Sequence, residues 1–347
     1  MTAGINRGVL AALGAALLFG AGTPFAKLLL AQTDPWLLAA LLYLGSGIGL
    51  WLLRRVRSSE PVRPSRSEWG WLAGATLSGG VVGPVLLMFG LTAMPATGAS
   101  LLLNAEGVFT ALLAWFVFKE NFDRRIALGM AAIVAGAVVL SWPGEASVQV
   151  GAGALAVLGA CLAWAIDNNL TRKVSLTDAS FIAMVKGLVA GSTNLLIAWL
   201  LGSSWPALST LGAAAVLGFL SYGASLVLFV VALRHLGTAR TGAYFSVAPF
   251  FGALLSVFML KEPLTSQLLM AGALMALGVW LHLTERHGHR HVHVPDQHTH
   301  EHVHDLHHQH AHPEGSATAE RHTHAHSHEA LTHDHAHHPD AHHRHTH

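Results

Sequence analysis

The sequence contains one stretch twice, first as Asn104-Ala-Glu-Gly-Val-Phe-Thr-Ala-Leu-Leu-Ala-Trp-Phe-Val-Phe-Lys-Glu120 and later as Ser246-Val-Ala-Pro-Phe-Phe-Gly-Ala-Leu-Leu-Ser-Val-Phe-Met-Leu-Lys-Glu262. The copies align without a gap and share an Ala-Leu-Leu triplet and the closing Lys-Glu pair. A second similarity lies earlier in each half, where Leu-Gly-Ala opens an apolar segment at residues 13–15 and again at 158–160. Such self-similarity indicates an internal repeat. The sequence therefore predicts two similar halves, residues 1–142 and 152–283, and a tail.

The amino-acid composition is that of a membrane protein. Hydrophobic residues make up 52% of the chain and charged residues only 11%. The charges also avoid stretches of about 20 residues, which is the length that spans a bilayer. We therefore expect an all-α polytopic membrane protein. Its ten predicted transmembrane helices cover residues 8–30, 36–53, 69–91, 96–118, 126–142, 152–171, 180–201, 211–233, 239–260 and 264–283.

The charges of the loops predict the orientation of the chain. When the amino terminus is taken as cytoplasmic, thirteen lysines and arginines fall in cytoplasmic loops and only Lys261 falls on the other side. Cytoplasmic loops of membrane proteins carry an excess of these residues. We therefore expect both termini in the cytoplasm. Because each half has five helices, an odd number, the halves are expected to form two inverted five-helix repeats around a pathway near the midplane.

One position distinguishes the two copies of the repeated stretch. The first copy has Glu106 where the second has Ala248. Glu106 is predicted near the middle of the fourth helix, where an ionised carboxylate costs roughly 2.5 kcal/mol or more unless it is protonated, paired or facing water. Thr110 lies one turn further on the same face, whereas Asn104 points to another side of the helix. We assign these three residues to a transport pathway, with Glu106 as the coupling carboxyl. The alternative is a structural carboxyl that is permanently bonded.

Further polar residues occur at the junction of the sixth and seventh helices. Asp167 and Asn168 lie within the last two turns of the sixth helix, and Lys186 lies about two turns into the seventh. The equal depth of Asp167 and Lys186 predicts a mutual ion pair, which is either structural or part of the route. Lys186 and Asn194 share one helix face, which is expected to point to the interior because polar groups are costly in lipid.

The composition changes abruptly after Arg286. The remaining residues, 287–347, include 24 histidines in 61 positions, mainly spaced as His-x-His. A segment with so few apolar residues cannot build a core, so we expect a disordered cytoplasmic tail. Neutral imidazoles are suitable ligands for Zn, Ni, Co or Cu, although a tract without a dedicated role is the alternative. The candidate metal ligands are His287, His289, His291, His293, His298, His300, His302, His304, His307 and His308.

The repeated Ala-Leu-Leu to Lys-Glu helix, the Trp164 helix that ends in Arg-Lys, and the five-plus-five topology resemble the EamA-type branch of the drug/metabolite transporter superfamily. The resemblance covers residues 8–283. It implies a secondary carrier of the bacterial inner membrane, often an exporter of metabolites, amino acids or toxic compounds, and it implies no particular substrate. Glu106-Gly107 departs from the small residues or proline that are more usual there, and the tail is not a general family feature.

The leading hypothesis from the sequence is a secondary carrier of a small solute that is coupled to protons or works by exchange, and the resemblance favours export. A first alternative is a transporter of divalent transition metals, and a second is a membrane-anchored protein that binds or senses metal through its tail. The sequence has no nucleophile-base constellation, phosphate loop or nucleotide motif, so we do not expect an enzyme or a required cofactor. The expected partners are the lipid bilayer and a small molecule or ion, but no nucleic acid. The sequence leaves a homodimer open.

Overall fold

The structure is a computed structural model. It describes residues 7–57, 62, 64–118, 124–141, 148–174, 178–236, 241, 244–283, 288–293, 296–302, 322–328 and 331–336. The chain divides into a helical unit within Met1–Glu285 and a second unit within Arg286–His338.

The first half of the helical unit contains five helical spans. We label them α1 to α5 in chain order, and two of them consist of more than one segment. Their bounds are α1 Arg7–Leu29; α2 Pro35–Val56; α3 Arg66–Ala75, continuing as a π-helix over Thr76–Val82 and as an α-helix over Gly83–Ala93; α4 Ala96–Leu102 and Ala105–Phe118; and α5 Arg124–Ser141.

The second half also contains five spans, α6 to α10. Their bounds are α6 Val148–Thr171, followed by a 3₁₀ turn over Arg172–Val174; α7 Ala179–Leu200; α8 Leu208–Gly218, continuing as a π-helix over Phe219–Ala224 and as an α-helix over Ser225–Leu236; α9 Ala248–Leu260; and α10 Ser266–Leu283. Within the described residues, each of the ten predicted helices corresponds to one of these spans.

Length and composition qualify most of these spans as membrane-crossing. Seven helices in the described part of the chain are long and apolar enough, and three shorter apolar helices cover Ala127–Leu140, Ala248–Leu260 and Ser266–Leu281. The chain is therefore a multi-pass membrane protein. The ninth helix was predicted over 239–260. Of its first residues, Thr241, Tyr244 and Phe245 are helical, a turn follows at 246–247, and the segment α9 covers Ala248–Leu260.

The fourth helix is not continuous, which corrects the sequence prediction for residues 96–118. It is interrupted at Leu103 and Asn104. The Asn104 side chain donates from Nδ2 to the Leu101 carbonyl at 3.0 Å, and its main-chain N–H donates to the same carbonyl at 3.1 Å. A short amide side chain that competes for main-chain carbonyls in this way disfavours regular helix. Glu106 therefore lies at the start of a helical segment and not in the middle of a long helix.

The two halves share their irregular features as well as their sequence. The third span of each half, α3 and α8, contains a π-helical segment, and π-segments are otherwise rare. From these segments Ser78 Oγ donates to the Ala163 carbonyl at 2.7 Å, and Ser221 Oγ donates to the Leu18 carbonyl at 2.8 Å. Each serine thus bonds the first helix of the opposite half. The repeated Lys119-Glu120 pair lies outside the described residues.

Glycines allow the second helices of the two halves, α2 and α7, to cross at close range. A Cβ on Gly187 would lie 2.6 Å from the main-chain N of Gly47, and one on Gly191 would lie 2.6 Å from the main-chain N of Leu44. Small residues at such crossings let the two backbones approach closely. Gly187 and Gly191 are thus packing residues at this crossing.

The described residues of the tail form four strands, β1 Gly288–His293, β2 Asp296–His302, β3 His322–His328 and β4 Leu331–Ala336. They pair in two antiparallel ladders, β1 with β4 and β2 with β3. The His-x-His spacing has the two-residue period of a strand, and the expected disorder of the tail stays a prediction. Of the candidate ligands, His287, His304, His307 and His308 lie outside the described residues.

Candidate functional site

Glu106 lies in the first turn of the second segment of α4, where the helix N-terminus favours negative charge. Its Oε1 accepts a hydrogen bond of 2.8 Å from Asn168 Nδ2, which also lies 3.5 Å from Thr110 Oγ1. The Thr110 carbonyl accepts a further bond of 3.3 Å from Asn169 Nδ2. Three of the predicted site residues, Glu106, Thr110 and Asn168, are therefore in direct contact. They connect α4 of the first half with α6 of the second.

Glu106 lies beside accessible surface of α6, as the exposure pattern of that helix shows. Leu155, Leu162 and Ile166 are 70%, 42% and 38% exposed and lie on one side of this helix. Asn168 lies about 200° around the helix from Ile166, on the opposite side, yet it is also exposed. The accessible surface of Asn168 therefore lies away from the apolar stripe, close to the carboxyl end of α6. Glu106 is partly accessible in the same place. We call this accessible surface the Glu106 cleft.

A buried ion pair lies beside the cleft. Lys186 Nζ lies 2.6 Å from both Asp167 Oδ1 and Asp167 Oδ2, and these residues are only 7% and 6% exposed. Thr171 Oγ1 donates to Asp167 Oδ1 at 2.8 Å. The predicted ion pair between α6 and α7 is confirmed. A Cβ on Gly79 of α3 would overlap the Asp167 carboxylate, so a glycine is required there.

The remaining two predicted site residues lie apart from Glu106. Asn194 Nδ2 donates a hydrogen bond of 3.2 Å to the Gly80 carbonyl in the π-segment of α3. Asn104 Nδ2 bonds its own helix, as described above, and lies 3.9 Å from Met275 Sδ. Both residues are buried, and in each of them Oδ1 has no hydrogen-bond partner. The polar face of α7 does point to the interior, as the sequence predicted.

Aromatic rings from both halves form a cluster. The ring centroid of Phe19 lies 6.1 Å from those of Trp164 and Tyr222 and 5.4 Å from that of Phe245. Phe19 is partly accessible on the side of α1 about 200° from the exposed Leu17, so it also faces the interior. Trp164 precedes Asn168 by one turn of α6. The aromatic cluster of Phe19, Trp164, Tyr222 and Phe245 therefore reaches α6 one turn before Asn168.

A second charged cluster lies at the other end of the bundle. Glu262, which follows α9, accepts hydrogen bonds of 2.8 Å from the main-chain N–H groups of Ala96 and Thr97, and a further bond from the Thr97 hydroxyl. Lys27 of α1 donates to the carbonyls of Leu91 and, at 3.1 Å, of Met94. A carboxylate at a helix start and a cation at a helix end both compensate the helix dipole. Together they join α1, α3, α4 and α9 at this end.

At the end of the bundle where α2 finishes, an ion pair links the two halves. Arg54 Nη1 lies 2.6 Å from Asp178 Oδ1, and Asp178 caps α7 by accepting from the Phe181 N–H at 2.8 Å. Burial raises the pKa of Asp178, but the bonds from Ser180 and Phe181 and the charge of Arg54 outweigh it. The pKa of Asp178 is therefore below its usual value.

Sequence reasoning missed several residues that the structure places at these sites. Asn169 donates a hydrogen bond to the Thr110 carbonyl of α4, and Thr171 donates one to Asp167. Both residues lie within four positions of Asp167 and Asn168, and this closeness was the signal available in the sequence. The Gly79 carbonyl accepts both Tyr43 Oη at 2.7 Å and Trp164 Nε1 at 2.8 Å, which no sequence pattern indicated. Across the described residues, no group of three or more His, Cys, Asp or Glu side chains is placed to hold a metal ion.

A bundle of apolar helices, with broken and π-helical spans around a carboxylate in its interior, defines a membrane transporter. The profile of the EamA-like transporter family matches residues 6–142 and 151–284, one match for each half. The chain belongs to this family. The resemblance inferred from the repeated helix is confirmed, and with it the transport of a small molecule across a membrane.

Curated relatives and a solved structure agree with this assignment. The chain is 30% identical over 292 residues to an uncharacterized transporter of Methanothermobacter thermautotrophicus, covering 79% of this chain and 85% of that protein. It is 36% identical over 85 residues to a probable amino-acid metabolite efflux pump of Salmonella typhimurium, covering 23% and 27% of the two chains. A crystal structure with 20% identity shares the fold with a TM-score of 0.62, covering 80% of this chain and 96% of the other.

Proposed function

We propose that the protein is a secondary active transporter that exports a small solute from a bacterial cell in exchange for protons. The observation that carries the proposal is the contact between Glu106 and Asn168, which joins the two halves inside an accessible cleft. A carboxyl in the interior of a membrane protein is costly and commonly marks an ion or substrate pathway. Asp167 and Lys186 are the charged groups on the neighbouring helices, and they neutralise each other. Glu106 is thus the group that loads and releases the proton.

The proposed route passes between the two halves. Thr110 and Asn168 line it beside Glu106, and the unpartnered Oδ1 atoms of Asn104 and Asn194 offer acceptors to a solute or a water molecule. The cleft lies near the end of α6, whereas the Lys27 and Glu262 contacts hold the other end of the bundle together. These contacts fit a carrier that is open to one side of the membrane at a time.

We further propose that the two halves are inverted repeats and that the open end is cytoplasmic. The thirteen-to-one distribution of loop charges supports this orientation in the inner membrane. A reporter fused after Arg290 is expected to report a cytoplasmic location, and one inserted at Glu145 a periplasmic location. The opposite pattern would contradict the orientation. If both reporters lay on the same side of the membrane, the inverted repeats would be contradicted.

Glu106→Gln tests the coupling role, because the substitution keeps an oxygen for the Asn168 bond and removes the titrating group. We expect proteoliposomes with the variant to lose solute flux driven by a pH gradient while retaining exchange of labelled for unlabelled solute. Glu68→Gln, the same change at a partly accessible residue near the start of α3, is the matched control and is expected to leave the flux unchanged. Undiminished gradient-driven flux in Glu106→Gln vesicles would remove the residue from the mechanism.

The tail is proposed to bind Zn, Ni, Co or Cu without being required for transport. The ladders of the tail place histidines opposite each other, including His291 with His333 and His300 with His324. Histidine ligands must be neutral, so binding should weaken below a pH of about 6.5. Calorimetric titration of zinc into the full chain is compared with a chain that ends at Arg286. Equal zinc binding by both chains would reject the tail as the site.

The same truncated chain separates the proposal from its two alternatives. If the protein is a transporter of organic solutes, the truncated chain keeps its flux in proteoliposomes. If the helices only anchor a metal-binding tail, neither the full chain nor the truncated chain moves any solute. If the protein carries divalent metal, both chains move labelled zinc or nickel, and that flux requires Glu106.

A further inference from the structure

We propose that the tail binds a divalent transition-metal ion in each of its two strand ladders, on the face of the ladder that carries the histidines, and that the ion holds the paired strands together. The inference rests on the metal binding of the tail proposed above and assigns its sites and ligands. The register of the strands and the residues on their two faces support it.

The register of β2 and β3 places histidine opposite histidine. Three pairs of histidines lie opposite each other: His298 with His326, His300 with His324, and His302 with His322. At the end of the ladder Asp296 lies opposite His328. Because successive residues of a strand alternate between its two faces, all these positions belong to one face of the ladder. That face therefore carries seven histidines and one aspartate.

The other face of the same ladder contains no histidine. Its residues are Gln297, Thr299 and Glu301 on β2, and Thr323, Ala325 and Ser327 on β3. Neither face offers the apolar surface that stabilises a sheet, and an isolated two-stranded ladder is at best marginally stable in water. Another interaction is therefore needed to hold these strands together, and a metal ion shared by the two strands supplies it.

The spacing of a ladder suits one ion among four histidines. Residues directly opposite each other have Cβ atoms about 4.5–5.5 Å apart, and successive residues on one face of a strand are about 7 Å apart. The central positions of β2 and β3 thus mark the corners of a rectangle of about 5 by 7 Å. An ion above its centre is equally distant from the four corners, and zinc takes four ligands in a tetrahedron. The proposed ligands are His298, His300, His324 and His326.

The ladder of β1 and β4 has the same arrangement. His289 lies opposite His335, and His291 lies opposite His333, and these four positions share one face. Three donor side chains are not gathered around one point anywhere among the described residues, so each site forms only as the ion arrives. Binding of the ion and pairing of the strands are then a single event.

Spin labels report the pairing of β2 with β3 directly. Gln297 and Ser327 lie opposite each other, on the face without histidines, so Gln297→Cys and Ser327→Cys carry the labels without removing a ligand. Cys161, the only native cysteine, is changed to serine in the labelled full chain. Without metal, about 30 residues of disordered chain separate the labels by about 30 Å on average. Zinc chloride is expected to bring the two Cα atoms to about 5.5 Å or less, which broadens the electron paramagnetic resonance spectrum strongly.

Two matched variants separate a ladder site from unspecific chelation by a histidine-rich chain. The ladder variant changes the four proposed ligands to glutamine: His298, His300, His324 and His326. The control variant makes the same change at four histidines outside the described strands: His307, His308, His310 and His312. Each variant loses four histidines. We expect the ladder variant to lose the zinc-dependent broadening and the control variant to keep it.

Three results would overturn the ladder site. They are an equal effect of zinc in the two variants, no broadening in the zinc-bound parent, and the same broadening without zinc, which would show that the strands pair without the ion. Calorimetry distinguishes these failures from failure of the proposed metal binding. If zinc binds the full chain but not the chain that ends at Arg286, and the labels stay apart, only the ladder site is wrong. If both chains bind zinc equally, the proposed metal binding of the tail is wrong as well.

Discussion

The ion pair between Asp167 and Lys186 gives the most quantitative prediction for the stability of the fold. The separation of 2.6 Å corresponds to about 6 kcal/mol of attraction at an effective dielectric constant of about 20. Desolvation of both groups offsets part of that energy. Removal of one partner leaves the other buried and unpaired, and in other proteins such changes cost about 3–5 kcal/mol. We therefore expect Asp167→Asn to lower the free energy of unfolding by about 3–5 kcal/mol.

The chain carries its own probe for this measurement. Cys161 is its only cysteine and is fully buried, so its alkylation by a thiol-reactive dye reports unfolding during a titration with SDS. Lys186→Met is expected to cost a similar amount. The double variant, which contains neither charge, should recover at least about half of the loss because no buried charge remains unpaired. A loss below about 1 kcal/mol in Asp167→Asn, or full additivity in the double variant, would refute the reasoning.

Three further predictions use the same assay. Gly79→Ala should lower the free energy of unfolding by at least about 2 kcal/mol, because the added Cβ overlaps the buried Asp167 carboxylate. Gly70→Ala, which has open space around the added Cβ, should be neutral or stabilising. Equal effects of the two substitutions would contradict this overlap as the cause. Asp178 has a lowered pKa in the folded state. The difference in free energy of unfolding between wild type and Asp178→Ala should therefore be constant above about pH 4 and disappear as the pH falls through the folded-state pKa. A difference that grows on acidification would contradict a lowered pKa. Glu262→Ala should cost about 1–2 kcal/mol because two main-chain N–H groups at the start of α4 lose their acceptor, and no change would show that the cap is unimportant.

Much of the fold was predictable from the sequence because the bilayer imposes simple rules. The ten apolar segments and the two similar halves follow from length and repetition, whereas the glycine crossing of α2 and α7 depends on which helices meet and came from the structure. The break in α4 was not predictable from hydrophobicity, because it depends on which carbonyl the Asn104 side chain bonds. The π-segments of α3 and α8 likewise depend on contacts between helices and leave no periodic signal in the sequence.

The candidate site was predicted in part. The pairing of Asp167 with Lys186 followed from their equal depth on consecutive helices. The contact of Glu106 with Asn168 could not be derived, because hydropathy does not determine which faces of α4 and α6 meet. The position of Glu106 at the start of a helical segment was also missed. Asn104 and Asn194 were grouped with Glu106 on polarity alone, and the structure places them apart.

Proton movement during solute transport is the most direct test of Glu106 as the coupling group. A pH-sensitive dye is trapped inside vesicles that contain the full chain, and labelled candidate solutes are then added outside one at a time. The account predicts that entry of a transported solute drives protons out, so that the vesicle interior becomes alkaline with wild type and stays unchanged with Glu106→Gln. Entry of a labelled solute without any change of internal pH in wild-type vesicles would contradict proton exchange at Glu106.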